Sequence, residues 1–188
     1  PEGEESRRND DIGLTHVHHF YTKRNLWVLG ALRSKATIPQ AVLMFNSQLT
    51  NISRLNRYRP EVSFPYNPLS GTLYVGSQIS EANIFTAYEN KIKRLSRAFA
   101  EIKGKSFITT ESAENSEIER QAVDYIFTDP PFGGNLMYSE LNFLWEAWLK
   151  VFTNNKPEAI ENKVQGKGLP EYQRLMTECF KEYYRVLK

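Results

Sequence analysis

An aspartate, two prolines and a phenylalanine follow one another from Asp129 to Phe132, with Gly133 and Gly134 directly behind them. Each proline fixes its own φ angle and pushes the residue before it into an extended conformation, so the Asp129 carboxylate is held on a stiff backbone. This carboxylate and the Pro130 carbonyl are two acceptors that together can bind both hydrogens of an exocyclic amine on a nucleobase. The Phe132 ring can stack on that base, and the glycines let the backbone approach it closely.

Such an arrangement favours chemistry at the amine nitrogen. The lone pair of the amine is delocalised into the base, and two acceptors favour a more tetrahedral nitrogen whose lone pair points at an electrophile. A base inside a duplex cannot enter such a pocket, so the target is flipped out or already single-stranded. The four residues Asp129, Pro130, Pro131 and Phe132 are therefore predicted to be catalytic.

The elements predicted to position this motif are strands and helices in alternation. Short β-branched and apolar runs predict strands at Lys105–Thr110 and Ala122–Thr128. Apolar stripes predict a long helix from Phe85 to Ile102, capped by Ser80 or Asn83, and two further helices after the motif, one capped by Ser139 and one opened by Pro170. This order predicts an α/β fold with a largely parallel sheet, and Asp129 would lie at the carboxyl end of a strand, where such sheets bind ligands.

Length and composition predict a single domain, and the motif places the catalytic region within it. Residues 1–14 are charged and are expected to be a flexible lead-in, whereas 15–188 form the catalytic region, with a helical or insertion segment at 15–77 and the α/β part at 78–188. Cys179 is the only cysteine, which excludes an intrachain disulfide and a cysteine-based zinc site. No apolar run reaches the roughly 18 residues of a membrane span, so we expect a cytoplasmic protein without membrane contact.

The sequence TDPPF, after an apolar strand and before a helix, resembles the catalytic motif of the amino-group DNA methyltransferases. The longer stretches HHFYTKRNLWVLGAL, TDPPFGGNLMYSELNFLWEAWL and EYYRVLK resemble bacterial and archaeal adenine-specific DNA methylases over most of the chain. The resemblance implies a Rossmann-like methyltransferase fold, S-adenosylmethionine as methyl donor and DNA as partner. It assigns the amine to Asp129 and Pro130 and the base to Phe132, and an aspartate at the head of the motif is more typical of adenine than of cytosine methylation.

One departure from the family concerns the donor. The methylases bind the methionine end of the donor at a glycine-rich turn after a strand, and the only G-x-G here, Gly166 to Gly168, follows a polar loop and precedes Pro170. We therefore expect the fold to be partial, with the donor-binding half upstream in a longer chain, and this chain alone to be inactive. A restriction or defence protein is a further partner that the resemblance allows.

Other residues are candidates for binding. Gly133, Gly134, Asn135 and Tyr138 could line the base or donor pocket, although residues that open a helix also cap and pack. Two groups of residues could contact nucleic acid or simply form a solvated surface. The first is a basic and aromatic cluster, and the second is a pair of lysines in a loop: Arg54, Arg57, Tyr58 and Arg59, and Lys163 and Lys167. The histidines His16, His18 and His19 lack a carboxylate at zinc-like spacing, so we expect no metal site there. Trp145 and Trp148 are expected in the core.

Two other functions are compatible with the same residues. RNA guanosine methyltransferases that act on the base amine also use an Asp-Pro-Pro-aromatic sequence followed by glycine. A module that binds nucleic acid without catalysis would also account for the missing glycine-rich turn. The net charge of +2 is too small to argue for nucleic acid by itself.

Overall fold

The computed structural model describes residues 1–59 and 71–188, which are mainly helical. Its α-helices are α1 (Lys23–Lys35), α2 (Pro39–Asn46), α3 (Leu49–Ile52), α4 (Ile84–Glu101), α5 (Tyr138–Leu149) and α6 (Leu169–Val186). Short 3₁₀ helices at Asp10–Ile12 and Val17–Phe20 precede α1. Among the described residues, no helix has the length and hydropathy needed to cross a membrane.

Several helix ends lie where local chemistry predicts them. The Asn83 side chain accepts from the backbone N–H groups of Phe85 and Thr86 and caps α4, as expected for one of the two predicted caps. Pro39 and Pro170 lie in the first turns of α2 and α6. The cap predicted at Ser139 is wrong, because α5 already begins at Tyr138 and Ser139 lies inside its first turn.

The hydrophobic core is formed by α1, α2, α3, α5 and the N-terminal half of α4. Leu29, Phe45, Leu49 and Leu144 are among its fully buried members. Trp145 and Trp148 pack against this cluster, as the sequence predicted, and each indole N–H finds an acceptor. The fold is therefore held by helix-on-helix packing.

A hydrogen bond reinforces the contact between α2 and α4. The Tyr88 hydroxyl donates to the Phe45 carbonyl at 2.9 Å, and the two rings are stacked with their centroids 6.5 Å apart. Burial raises the pKa of the Tyr88 hydroxyl, which stays a donor across the physiological pH range.

The α/β Rossmann-like fold predicted from the sequence is wrong for this chain. Of the described residues, 45% are helical and 3% are in strand-type pairing, and they form no sheet. The predicted strand at Lys105–Thr110 is unpaired within the described residues. Val123, in the predicted strand Ala122–Thr128, forms one isolated parallel bridge with Leu187.

The reason lies in the dependence of a strand on its neighbours. A β-branched or aromatic run favours extended backbone, but a strand is stable only where adjacent strands pair with its N–H and C=O groups. Outside the single bridge at Val123, these segments keep their apolar side chains in solvent; Phe107 is 92% exposed and Phe127 is 85% exposed. The apolar residues of α4 from Ile92 onward are also largely exposed, because no sheet covers them.

The N-terminal residues 1–14, predicted to be a flexible lead-in, lie against the rest of the chain in this structure. The Glu5 carboxylate accepts from the Leu73 N–H at 2.8 Å, and the Asn9 side chain donates to the Leu73 carbonyl at 2.7 Å. Hydrogen bonds from Arg8, Leu73 and Thr72 hold the pKa of Glu5 below its usual value although desolvation by burial, the largest single influence, opposes the shift.

Candidate active site

The motif Asp129 to Phe132 lies on an exposed loop between the bridge at Val123 and the start of α5. Asp129 and Pro130 are exposed, Pro131 is half-buried, and Phe132 is 83% exposed. A phenylalanine with this exposure costs solvation free energy and contributes nothing to the core. The structure therefore presents the ring to the solvent, where another molecule can reach it.

Three hydrogen bonds to backbone carbonyls hold this loop in place. The Tyr172 hydroxyl on α6 donates to the Pro131 carbonyl at 2.9 Å. The Asn135 N–H donates to the Phe132 carbonyl at 3.1 Å, and the Glu161 N–H donates to the Gly133 carbonyl at 3.1 Å. With φ fixed at both prolines, the loop is anchored on α6 and on the segment that precedes it.

The two glycines have conformational and steric roles at this junction. Gly133 has a φ of +53°, in the left-handed region that favours glycine. At Gly134, an added Cβ would lie 3.3 Å from the Glu161 carbonyl oxygen, a tight contact with backbone. Both residues therefore serve the docking of the loop against Glu161, in addition to any role at a ligand.

Two acceptors at the start of the motif have no hydrogen-bond donor among the described residues. Among the described residues, none donates a hydrogen bond to the Asp129 carboxylate or to the Pro130 carbonyl. Asp124, five residues earlier, is instead paired with Lys188 at 2.6 Å. The structure thus leaves two adjacent acceptors and an exposed ring on one anchored loop, the set of groups that the predicted chemistry needs.

The predicted pocket residues Asn135 and Tyr138 lie directly behind the motif. Asn135 is exposed and bonds back to Phe132 through its backbone, while Tyr138 opens α5. Tyr138 lines an open groove of about 510 Å³ together with Thr110, Ser112, Asn142 and Pro157. No residue from Asp129 to Phe132 lines this groove. Tyr138 is therefore close to the motif in the sequence, but its side chain faces a different surface.

The loop lysines have different surroundings. The Lys167 ammonium donates to the carbonyls of Asn155 and Glu158, at 2.6 and 2.8 Å, and desolvation lowers its pKa despite the opposing effect of the Glu158 carboxylate. Lys163 is exposed and lies two residues beyond Glu161, which contacts the glycines of the motif. Lys167 therefore serves the loop structure here, and Lys163 is the better placed of the two to meet a phosphate.

The basic cluster Arg54, Arg57, Tyr58 and Arg59 borders residues 60–70, which lie outside the described residues. The side chains of Arg54 and Arg57 are half-buried, and their buried Nε atoms have no hydrogen-bond partner among the described residues. Tyr58 is exposed, and its N–H donates to the Gln78 carbonyl at 3.0 Å. Contact with nucleic acid stays a prediction for this cluster.

The three histidines near the N-terminus form an aromatic cluster. The rings of His18 and His19 lie 4.2 Å apart, and His16 lies 5.4 and 5.3 Å from them. Desolvation, with the nearby His18 and His16 imidazoles, lowers the pKa of His19. In the part of the chain that the structure describes, no group of three His, Cys, Asp or Glu side chains is arranged to hold a metal ion.

Sequence reasoning missed two residues that define the loop, Tyr172 and Glu161. The Tyr172 hydroxyl donates to the Pro131 carbonyl across 41 residues of sequence. No short motif marks such a contact. Its one signal is a tyrosine in the first turn of a helix that begins close to the loop.

Known proteins give no independent guide to this site. No family model, curated protein or solved structure matches the chain.

Proposed function

We propose that this chain holds the target base in a methyl transfer from S-adenosylmethionine to the exocyclic amine of adenine in DNA. One observation supports the proposal: the Asp129 carboxylate and the Pro130 carbonyl, which accept no hydrogen bond from the described residues, lie with the exposed Phe132 ring on a loop whose backbone is anchored by Tyr172 and Glu161.

The chemistry assigned to the chain's own residues is the positioning of the amine. Phe132 stacks on the flipped adenine and fixes its plane. Asp129 and the Pro130 carbonyl each accept one amine hydrogen, which directs the nitrogen lone pair away from the ring plane and toward the methyl group. Bound S-adenosylmethionine would supply the methyl group, with its S–CH3 bond breaking as the N–C bond forms and S-adenosylhomocysteine leaving as a neutral thioether. The Asp129 carboxylate would stabilise the positive charge that develops on the nitrogen, and the amine proton would then pass to water.

The donor is expected to be bound by residues outside this chain. S-adenosylmethionine supplies an electrophilic methyl group, but the described residues offer no glycine-rich turn for it. Gly166 lies in a turn closed by the pairing of Asn162 with Lys167, and Gly168 is the N-cap of α6. Under this proposal the chain alone binds the base and transfers nothing.

Contacts to DNA are assigned to the exposed cations near the loop. Lys163 lies beside the segment that anchors Gly133, which is where the backbone of a flipped nucleotide would pass. Lysine and arginine contacts to phosphate carry most of the sequence-independent affinity for DNA. The basic cluster at Arg54, Arg57, Tyr58 and Arg59 is a separate candidate for contact with DNA, with its arginines half-buried and Tyr58 exposed.

The test is to incubate the full-length gene product that contains this chain with labelled S-adenosylmethionine and either DNA or RNA. The modified nucleoside is then identified by mass spectrometry. Methyladenine in DNA is the expected product. Methylguanosine in RNA would keep Asp129 and Phe132 in their roles but reject the substrate.

A second function, binding of nucleic acid without catalysis, is favoured by a different observation. The described residues contain neither a sheet nor a glycine-rich turn that could hold the donor. If the full-length product binds single-stranded DNA in a Phe132-dependent way but methylates neither DNA nor RNA, this second function replaces the first.

A further inference from the structure

A cavity of about 560 Å³ lies between α5 and the N-terminal segment, apart from the loop at Asp129. Its walls are mainly apolar and include the rings of Phe20, Phe143 and Trp148 together with Leu14 and Leu144. Small-molecule sites in proteins have volumes of roughly 300–1,000 Å³ and similar walls. The cavity therefore has the size and the lining of a site for a small organic ligand.

The carboxylate of Glu140 lines this cavity and is almost completely buried, whereas the imidazoles of His16 and His18, which also line it, are exposed, as part of a lining that includes Pro1. Glu140 is 1% exposed, and its carboxylate accepts from the Ser6 N–H at 2.7 Å and from the Asn162 side chain at 3.4 Å. A side chain at Gly3 would collide with the carboxylate, so the N-terminal segment covers it closely. These two hydrogen bonds use about half of the acceptor capacity of a carboxylate.

Glu140 forms no ion pair among the described residues. No Lys, Arg or His nitrogen of those residues lies within 4.0 Å of it, and the guanidinium of Arg8, which acts on Glu140 only from a longer distance, is paired with Glu5. The residues outside the described ranges, 60–70, contain no lysine, arginine or histidine. A buried carboxylate without a counter-charge is destabilising, and a bound cation would relieve that cost.

We infer that this cavity is a binding site for an organic cation, an ammonium or amidinium group carried on an aromatic or apolar body. The cationic group hydrogen-bonds to the Glu140 carboxylate, and the body packs among the rings of Phe20, Phe143 and Trp148. Aromatic rings attract cations through their electron-rich faces, so the walls favour the charge as well as the apolar body. Anionic ligands are disfavoured by Glu140.

The site is independent of the proposed base-holding loop. None of the residues from Asp129 to Gly134 lines the cavity, and Glu140, Phe143, Leu144 and Trp148 share one side of α5. The inference therefore stands or fails separately from the methyl-transfer proposal.

The test compares cations with neutral molecules of the same shape. Benzamidine and 2-phenylethylamine are titrated into the protein by calorimetry, with benzamide and 2-phenylethanol as their neutral counterparts. Each cation is expected to bind about tenfold or more tightly than its counterpart, the effect of a charge-assisted hydrogen bond in a desolvated site. Equal affinities within each pair, or no binding of either cation at millimolar concentration, would overturn the inference.

Variants locate the site. Glu140→Gln keeps the shape and removes the charge, so it is expected to abolish the preference for the cations, with folding checked by circular dichroism. Ala147→Phe fills the cavity while leaving Glu140 in place, so it is expected to lower the affinity of every probe that binds there. This variant tests the location of the site if Glu140→Gln does not fold. Asp124→Ala, which removes an exposed carboxylate outside the cavity, is the control and leaves all affinities unchanged. A preference for cations that survives in a folded Glu140→Gln variant would place the site elsewhere.

Discussion

The helical core and the segment from 102 to 134 contain similar apolar side chains but place them in opposite environments. In the core, Phe45 and Leu49 are at most 1% exposed, whereas Phe107, Phe127 and Phe132 in the segment are all more than 80% exposed. Burial of a phenylalanine contributes about 1.5–3 kcal/mol to stability, so the core holds the fold and the segment adds little to it. The segment has the exposed groups that a ligand or partner could contact.

The strongest way to test this contrast is to truncate one phenylalanine in each region. We expect Phe45→Ala to lower the free energy of unfolding by about 3–5 kcal/mol, because it leaves a cavity in a packed core. Phe127→Ala is expected to change it by less than about 0.5 kcal/mol, the usual range for an exposed position. Urea denaturation followed by circular dichroism measures both. Equal losses would show that the two regions do not differ in the way described.

The second prediction separates exposed rings that bind from exposed rings that do not. Phe132→Ala is expected to weaken binding of an adenine-containing single-stranded oligonucleotide by about 1–3 kcal/mol, the contribution of one base stacked on an aromatic ring. The matched control is Phe127→Ala, which removes an equally exposed ring from the same segment. Fluorescence anisotropy gives both affinities. A similar loss for the two variants would mean that general hydrophobicity, and not the motif, binds the strand.

These contrasts also show which parts of the fold could be predicted from sequence. The cap at Asn83 and the prolines that open α2 and α6 act within one helical turn, so the residues themselves determine the outcome. Ala122–Thr128 was predicted to be a strand on equally good local grounds, but strand pairing depends on distant segments, and only Leu187 and its neighbours pair with it here.

In the candidate site, too, local features could be read from the sequence, whereas contacts between distant residues could not. The types and order of the residues from Asp129 to Phe132 predict amine chemistry, which stays a prediction, and the structure places Asp129, Pro130 and Phe132 on the surface of a loop anchored by Tyr172 and Glu161. The anchors could not be predicted, because Tyr172 lies 41 residues from Pro131. The burial of Glu140 was equally hidden, since one of its partners, Ser6, lies 134 residues away.

The third prediction concerns the anchor itself. Tyr172→Phe removes the hydrogen bond to the Pro131 carbonyl and is expected to lower the free energy of unfolding by about 1 kcal/mol or less. Its clearer effect is local: the Asn135 amide, which bonds to Phe132, should exchange its hydrogen faster. Hydrogen exchange measured by mass spectrometry tests this, with Tyr184→Phe at an exposed position as the control. Unchanged exchange at 132–135 would mean that α6 does not hold the loop.

The smallest expected effect is a dependence on pH where Ser116, in the segment from 102 to 134, contacts Glu182 on α6. Hydrogen bonds from Arg185 and then from Ser116 lower the pKa of Glu182 from 4.5 to about 2. Because the folded pKa is the lower one, this contribution to stability is complete above pH 4.5 and is lost as the pH falls toward 2.

Glu182→Gln is therefore expected to flatten the fall in stability between pH 4.5 and 2, as measured by denaturation across that range. Glu178→Gln, on the same helix and in an exposed pair with Lys181, is the control. An unchanged slope in the Glu182 variant would show that Glu182 does not link the segment to α6.

Under the proposed function, the Asp129 carboxylate positions a base amine for methyl transfer. The most direct test is the rate of methyl transfer to adenine in DNA by the full-length gene product carrying Asp129→Ala, with Asp124→Ala as the control. We expect the Asp129 variant to fold normally and lose transfer, while the Asp124 variant, which removes only an exposed pair with Lys188, keeps it. Near-normal transfer by a well-folded Asp129 variant would show that this carboxylate does not position the amine.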